Sequence, residues 1–167
     1  ILFSDIEDST LMTERLGDER WLEVLRAHNA IFRSRLRAHG GFEVKSQGDG
    51  FMLVFRSPDA ALACATEIQR ELCATEVADD ERVRVRMGIH TGQAIREEGD
   101  LFGRSVILAA RIAAQASGGE ILVSESLREA AEAAGGFAFD AGRELELKGL
   151  AGRHRVFRAE WEEAVPA

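Results

Sequence analysis

The chain has 167 residues, 46% hydrophobic and 30% charged, which fits one folded domain and is too apolar for a disordered segment. Its 21 Lys+Arg against 29 Asp+Glu leave a net charge of −8, against the basic face that sequence-independent nucleic-acid binding needs. The longest apolar run, Ala60–Ala65, is six residues, far short of the ~20 that span a bilayer, so no direct membrane contact is expected.

Ile1–Asp5 reads as a short buried strand, and Asp8-Ser9-Thr10 supplies helix-start oxygens before a helical pattern from about Leu11. The pattern resumes after Gly17-Asp18 as Trp21, Leu22, Val24, Leu25, His28, Ile31, Phe32 and Leu36, a stripe of period 3.6 that Gly40-Gly41 stops. Phe42–Gln47 and Phe51–Phe55 are strand-like runs joined by Gly48-Asp49-Gly50, the chemistry of a tight hairpin. Ser57-Pro58-Asp59 starts a helix over Ala60–Leu72. Val83, Val85, Met87 and Ile89 alternate with Arg82, Arg84, Arg86 and Gly88, a strand with one buried face.

Thr91-Gly92 turns into a further strand, Gln93–Arg96, and a loop, Glu97–Gly103, leads to a helix over Ser105–Ala116. Gly118-Gly119 ends that helix, Ile121–Val123 is a strand, and Ser124 caps a helix over Glu125–Ala134. Glu144–Leu147 and Arg155–Phe157 form a last pair of strands. The interleaving predicts a mixed α+β sheet with helices packed against it.

The two cysteines, Cys64 and Cys73, lie nine residues apart in one predicted helix. That is about 13.5 Å, where a disulfide tolerates no more than ~7 Å between Cα atoms. They read as small helix-packing residues in a reducing, cytoplasmic setting. No charged-then-apolar leader opens the chain, which starts inside an apolar stretch, so a domain cut from a longer protein is expected, with a membrane tether elsewhere in that protein left open.

Two acids fall where chemistry is expected. Asp5 ends the first strand and Asp49 sits at the hairpin tip. If that strand lies beside the hairpin, both carboxylates emerge at one sheet edge, where hard oxygen ligands suit Mg²⁺ or Mn²⁺. Thr10 and the neighbouring backbone N–H groups at the following helix start could hold phosphate. Spacing alone favours a plain turn-forming role for Asp49, because Asp-Gly hairpins are common.

Four segments together carry more weight. Phe3-Ser4-Asp5-Ile6-Glu7-Asp8-Ser9-Thr10, Lys45-Ser46-Gln47-Gly48-Asp49-Gly50-Phe51, Asp100-Leu101-Phe102-Gly103 running on to Ala109-Ala110-Arg111, and Leu147-Lys148-Gly149 occur in one order and spacing. In this the chain resembles the class III adenylyl/guanylyl cyclase catalytic domain, bacterial in type, over about Ile1 to Phe157. The resemblance implies a ferredoxin-like βαββαβ core with extra strands and helices, spanning residues 1–160 before a C-terminal tail at 161–167. It implies two divalent ions, Mg²⁺ or Mn²⁺, on Asp5, Asp49 and the Ile6 carbonyl.

Lys45 and Asp100 match the pair that reads the purine, in the adenine-selecting combination. The chemistry agrees: a Lys donor meets adenine N1, and an Asp carboxylate accepts from the exocyclic amine. Arg111 matches the arginine that stabilises charge on the phosphate, and Lys148 a lysine at the terminal phosphates. The implied assembly is a head-to-tail homodimer, one subunit giving the metal aspartates and the other the purine readers, Arg111 and Lys148. The implied reaction turns ATP into 3′,5′-cyclic AMP and pyrophosphate. The pattern breaks at Ile107, where the family usually carries an asparagine one helical turn before the arginine. A slow or degenerate cyclase is therefore expected, with a regulatory nucleotide-binding module, or a cyclase acting on GTP, as alternatives. His28, His39, His90 and His154 match no functional position and are expected to be structural or surface residues.

Overall fold

The computed structural model describes residues 1–76 and 82–162. Its first strand, β1 (Leu2–Ile6), leads into α1 (Ser9–Leu16) and the long α2 (Asp18–Ala38). Val24, His28, Ile31, Phe32 and Leu36 form the buried stripe of α2. Asp18 and Glu19 at its start and Arg35 and Arg37 at its end complement the helix dipole. Then come the hairpin β2 (Phe42–Gln47) and β3 (Gly50–Val54), and α3 (Pro58–Ala74). Ser57 caps α3 through the Ala60 N–H, and Pro58 occupies its first turn, where no intrahelical donor is needed.

The second half runs β4 (Val85–Ile89), a small hairpin β5 (Ile95–Glu97) and β6 (Asp100–Phe102), and α4 (Arg104–Gln115). It closes with β7 (Ile121–Ser124), α5 (Glu125–Ala134), β8 (Ala138–Phe139), β9 (Arg143–Glu146) and β10 (Arg153–Glu160). Ser124 caps α5 as expected, its Oγ accepting from the Leu127 N–H at 3.3 Å.

The main sheet has the order β2-β3-β1-β4-β7-β10-β8, with β9 on β10. Its first four strands are antiparallel to their neighbours and are joined as βαββαβ, the ferredoxin-like arrangement. β7 adds parallel to β4 through the crossover helix α4. One face is sealed by a core in which Leu2, Ile6, Leu53, Met87 and Val123 meet Phe32, Leu62, Ile68 and Leu127. On the other face Leu108 and Ile112 of α4, with Ala116 just past its end, pack on Leu122, Leu147 and Val156. Gly88 lets α4 lie close to β4, since a Cβ there would run into the Ala113 backbone.

Three expectations change. The segment expected as a strand over Gln93–Arg96 and a loop over Glu97–Gly103 is a hairpin, with Ile95 opposite Phe102 and Glu97 opposite Asp100. Its two turn residues, Glu98 (φ +50°) and Gly99 (φ +78°), both take positive φ, as a type I′ turn requires. Cys64 is buried as expected, but Cys73 is exposed near the end of α3. Trp161, expected to open the tail, packs against the core and donates its indole N–H to the Gly119 carbonyl at 2.7 Å; residues 163–167 lie outside the described residues.

Candidate active site

Residues directly opposite in paired strands point to the same sheet face. The β1–β3 and β1–β4 registers set Phe3 opposite Met52 and Gly88, and Asp5 opposite Arg86, so all five share the face over which α4 lies. Asp5 stands one residue from the end of β1, and Asp49 occupies the turn between β2 and β3. Gly48 takes φ +59° in that turn while Asp49 does not, and the turn closes on the Gln47–Gly50 pair. The Ile6 N–H donates to Asp49 Oδ2 at 2.9 Å, stitching the hairpin tip to the end of β1. A Cβ on Gly50 would approach the Ser4 carbonyl to 2.9 Å, so glycine permits this closeness. The two acids thus share one sheet edge.

Asp5 is not a bare carboxylate. Arg86 Nε and Nη2 donate to its two oxygens at 2.7 and 2.9 Å, a bidentate fork. The bond to Asp5 holds the Arg86 guanidinium in its charged form, and Glu7 and Asp49 add further attraction. The sequence reading missed Arg86. Its signal was the alternation Arg82, Arg84, Arg86 on one side of a strand, but only the β1–β4 register tells which arginine faces Asp5.

The purine-reading candidates meet. Lys45 Nζ lies 2.8 Å from Asp100 Oδ2, and Asp100 Oδ1 accepts the Leu101 N–H at 2.8 Å. The hydrogen bond from Lys45, followed by that from Leu101, holds the Asp100 carboxyl below the usual carboxylate range. A β-bulge aims Lys45. The β2–β3 register slips between Glu43 and Lys45, leaving Val44 as the extra residue. In a regular strand Glu43 and Lys45 would share a face. Here Glu43 sits opposite Leu53 and pairs with Arg33 of α2, while Lys45 sits opposite Met52 on the face of Asp5.

Arg111, on α4, donates its Nε–H to the Lys148 carbonyl at 2.8 Å, which joins the helix to the turn after β9. Buried Leu147 anchors that turn, and its carbonyl accepts the Leu150 N–H. Ile107, one turn before Arg111, is 46% exposed and belongs to neither apolar core. Thr10 is exposed in the first turn of α1, with Asp8 ahead of it at φ +54°. Asp8 makes no side-chain capping bond, so the expected helix-start oxygen is not supplied by that residue.

His28 is buried against Phe32 and Phe51 at ring distances of 4.5 and 5.8 Å, and His90 is buried with Nδ1 2.7 Å from Ser124 Oγ. His39 faces Glu67, and His154 lies against the Ala151 carbonyl.

Among the described residues no three His, Cys, Asp or Glu side chains gather around one point. Two carboxylates and a backbone carbonyl at a strand end suit Mg²⁺ or Mn²⁺, which are usually held by one or two carboxylates and completed by water and substrate phosphates. The fit is good.

A family model for the adenylate and guanylate cyclase catalytic domain matches residues 1–159. The chain belongs to this family. An adenylate cyclase of Mycosarcoma maydis is 35% identical over 152 residues, which cover 76% of this chain and 6% of that protein. This cyclase domain thus spans a small fraction of that relative. A Trypanosoma brucei adenylate cyclase structure, described as monomeric, superposes with a TM-score of 0.87 at 25% identity, covering 95% of this chain and 86% of that one. An adenylate/guanylate cyclase/hydrolase from Silicibacter pomeroyi superposes with a TM-score of 0.78 at 30% identity, covering 95% and 93%. Divalent metal ions are general in the cyclase family. No helix among the described residues is long and apolar enough to cross a membrane.

Proposed function

We propose that this cyclase domain converts ATP to 3′,5′-cyclic AMP and pyrophosphate in a head-to-tail homodimer. The observation that carries the choice of ATP is the Lys45–Asp100 pair at 2.8 Å, a cationic donor beside a carboxylate acceptor. Adenine offers a lone pair at N1 and a donor at its exocyclic amine, which this pair complements. Guanine offers a protonated N1 and a carbonyl there, reversing both demands.

Asp5, Asp49 and the Ile6 carbonyl would hold the divalent ions, and such ions when bound would supply activation of the ribose 3′-oxygen and charge neutralisation at the triphosphate. Thr10 and the backbone at the start of α1 bind phosphate oxygens. The Arg111 guanidinium, aimed by its bond to the Lys148 carbonyl, stabilises charge that builds on the α-phosphate as the 3′-oxygen attacks and pyrophosphate leaves. Lys148 meets the terminal phosphates. No side chain is assigned as general base.

The dimer reading rests on where apolar surface is left uncovered. Of the six large hydrophobic residues exposed among the described residues, Phe42, Ile95, Phe102 and Ile107 lie on β2, the β5–β6 hairpin and α4. These are the elements that carry Lys45, Asp100 and Arg111. A second copy seated there buries that surface and brings its own strand-end acids to the purine-reading half. Ile107 favours a second reading, a module that binds nucleotide without turnover, because it offers no polar contact beside Arg111.

One assay separates these readings. Purified protein is incubated with Mn²⁺ and either ATP or GTP, and products are resolved by chromatography. Cyclic AMP from ATP is expected. Cyclic GMP as the main product overturns the purine assignment, and nucleotide binding with no product supports the non-catalytic module.

A further inference from the structure

A cleft of about 290 Å³ opens between the β5–β6 hairpin and the β2–β3 hairpin. Small-molecule sites usually occupy ~300–1,000 Å³, so this one suits a small ligand. Val44 lines it from β2, Val54 and Phe55 from the end of β3, and Leu101 from β6. All four are half-buried, and Phe55 leans on the main core. Among the described residues that line the cleft, the charged ones are Arg56 and Arg96, and none is acidic. Both arginines are exposed, and neither has a carboxylate partner among the described residues. Arg96 instead holds its guanidinium 5.8 Å from the centre of the Phe42 ring, which also lines the cleft.

In a chain of net charge −8, two guanidinium groups beside an apolar slot reverse the local sign. Such walls favour a flat apolar body that ends in a carboxylate. The rings and branched side chains cover the body, and a guanidinium fork matches the two carboxylate oxygens. A cationic head is repelled by the same pair.

The cleft backs onto the purine readers without containing them. In the β5–β6 hairpin Leu101 pairs with Arg96 on one face, and Asp100 pairs with Glu97 on the other. In β2 the bulged Val44 immediately precedes Lys45. The walls are thus chain neighbours of both members of the 2.8 Å pair. A body wedged between the two hairpins spreads them and draws Asp100 away from Lys45. Phe42 belongs also to the surface proposed for the second copy, so the cleft lies at the margin of that interface.

We propose that this cleft is a regulatory site for a small aromatic carboxylate, held by Arg56 and Arg96, whose binding loosens the Lys45–Asp100 pair. The binding site stands without any activity. Its effect on nucleotide rests on the reading of that pair as the purine reader.

The test is calorimetric titration of the intact domain with 2-naphthoate, 2-naphthylmethanol and 2-naphthylmethylammonium, which share a ring system and differ in charge. Wild type is compared with the double variant Arg56→Gln, Arg96→Gln and with Val54→Phe, which fills the cleft, with a thermal melt on each. Expected is 1:1 binding of naphthoate, with the neutral and cationic probes at least tenfold weaker. The double variant should lose tenfold or more, and Val54→Phe should bind none. The double variant, altered only at exposed side chains, carries the test if Val54→Phe unfolds. No saturable naphthoate binding, equal binding of the three probes, or full binding by either folded variant overturns the site. Affinity for Mn²⁺ with non-cyclisable 3′-deoxy-ATP should fall at least threefold with naphthoate and then level off, and by reciprocity nucleotide weakens naphthoate by the same factor. A fall that keeps growing with naphthoate puts it in the nucleotide site and overturns the proposal. Unchanged or tighter nucleotide binding overturns the coupling and leaves the site standing. Naphthoate binding in a domain that takes up no nucleotide upholds the site and removes the purine reading.

Discussion

Lys45 Nζ and Asp100 Oδ2 stand 2.8 Å apart although 55 residues separate them in the chain. The β2 bulge turns the lysine to this face, and the type I′ turn of the β5–β6 hairpin presents the aspartate. Because the two groups also neutralise each other, substituting one alone leaves the other unpaired. The informative variant is double: Lys45→Glu with Asp100→Asn, which offers an acceptor to guanine N1–H and a donor to its carbonyl. The ratio of kcat/KM for ATP over GTP should fall by at least ~10², since sites built for hydrogen bonding reject a reversed pattern strongly. A ratio equal to wild type would remove both residues as specificity determinants.

Asp5→Ala and Asp49→Ala should each abolish Mn²⁺-dependent turnover without unfolding the domain, since both acids lie at a sheet edge outside the apolar cores. Arg111→Ala should be inactive as well. Mixing Asp49→Ala with Arg111→Ala should restore activity, because one of the two interfacial sites in a mixed head-to-tail dimer keeps a full set. Heterodimers that form, shown by pull-down of differently tagged chains, but stay inactive would mean that each subunit carries its own complete site.

Ile107→Asn tests the break in the family pattern. Loss of one preorganised polar contact to a reacting group costs about 10²–10³ in rate, so the wild-type domain should be slow and not inert. Ile107 is 46% exposed, and the substitution removes little core packing. The melting temperature should therefore hardly move, while kcat rises more than KM changes. Steady-state kinetics with Mn²⁺-ATP decide the matter. An unchanged or lower kcat in a folded variant shows that this position is not the missing contact.

His90 sets a pH dependence of stability. Burial, aided by Arg104, pushes its imidazole from 6.5 down to about 4. Between those values the unfolded chain binds a proton that the folded one refuses, so stability rises with pH and is lost as pH falls through the window. The loss attributable to this residue is about 3 kcal/mol at most. His90→Gln, which can still bond to Ser124, should flatten the denaturant midpoint between pH 6.5 and pH 4. A slope as steep as wild type would assign the acid sensitivity to other groups.

Local order in the chain determined most of the architecture. The apolar stripe of α2, the Ser57-Pro58 start of α3, the Gly48 turn and the Ser124 cap are short-range signals, and each element they predict is present. The candidate residues Asp5, Lys45, Asp49, Asp100, Arg111 and Lys148 were named through the chain's resemblance to the cyclase family, whose motifs are written in order along the chain. Tertiary structure alone decided their surroundings. That Arg86 and not Arg84 faces Asp5 follows from strand register, and that Lys45 leaves the face of Glu43 follows from a single bulged residue. The β5–β6 hairpin was hidden because an acidic, glycine-containing run reads as loop until its two strands are seen to pair. Cys73 and Trp161 were misjudged for a related reason: burial at the end of an element depends on what packs across it, and that neighbour lies far along the chain.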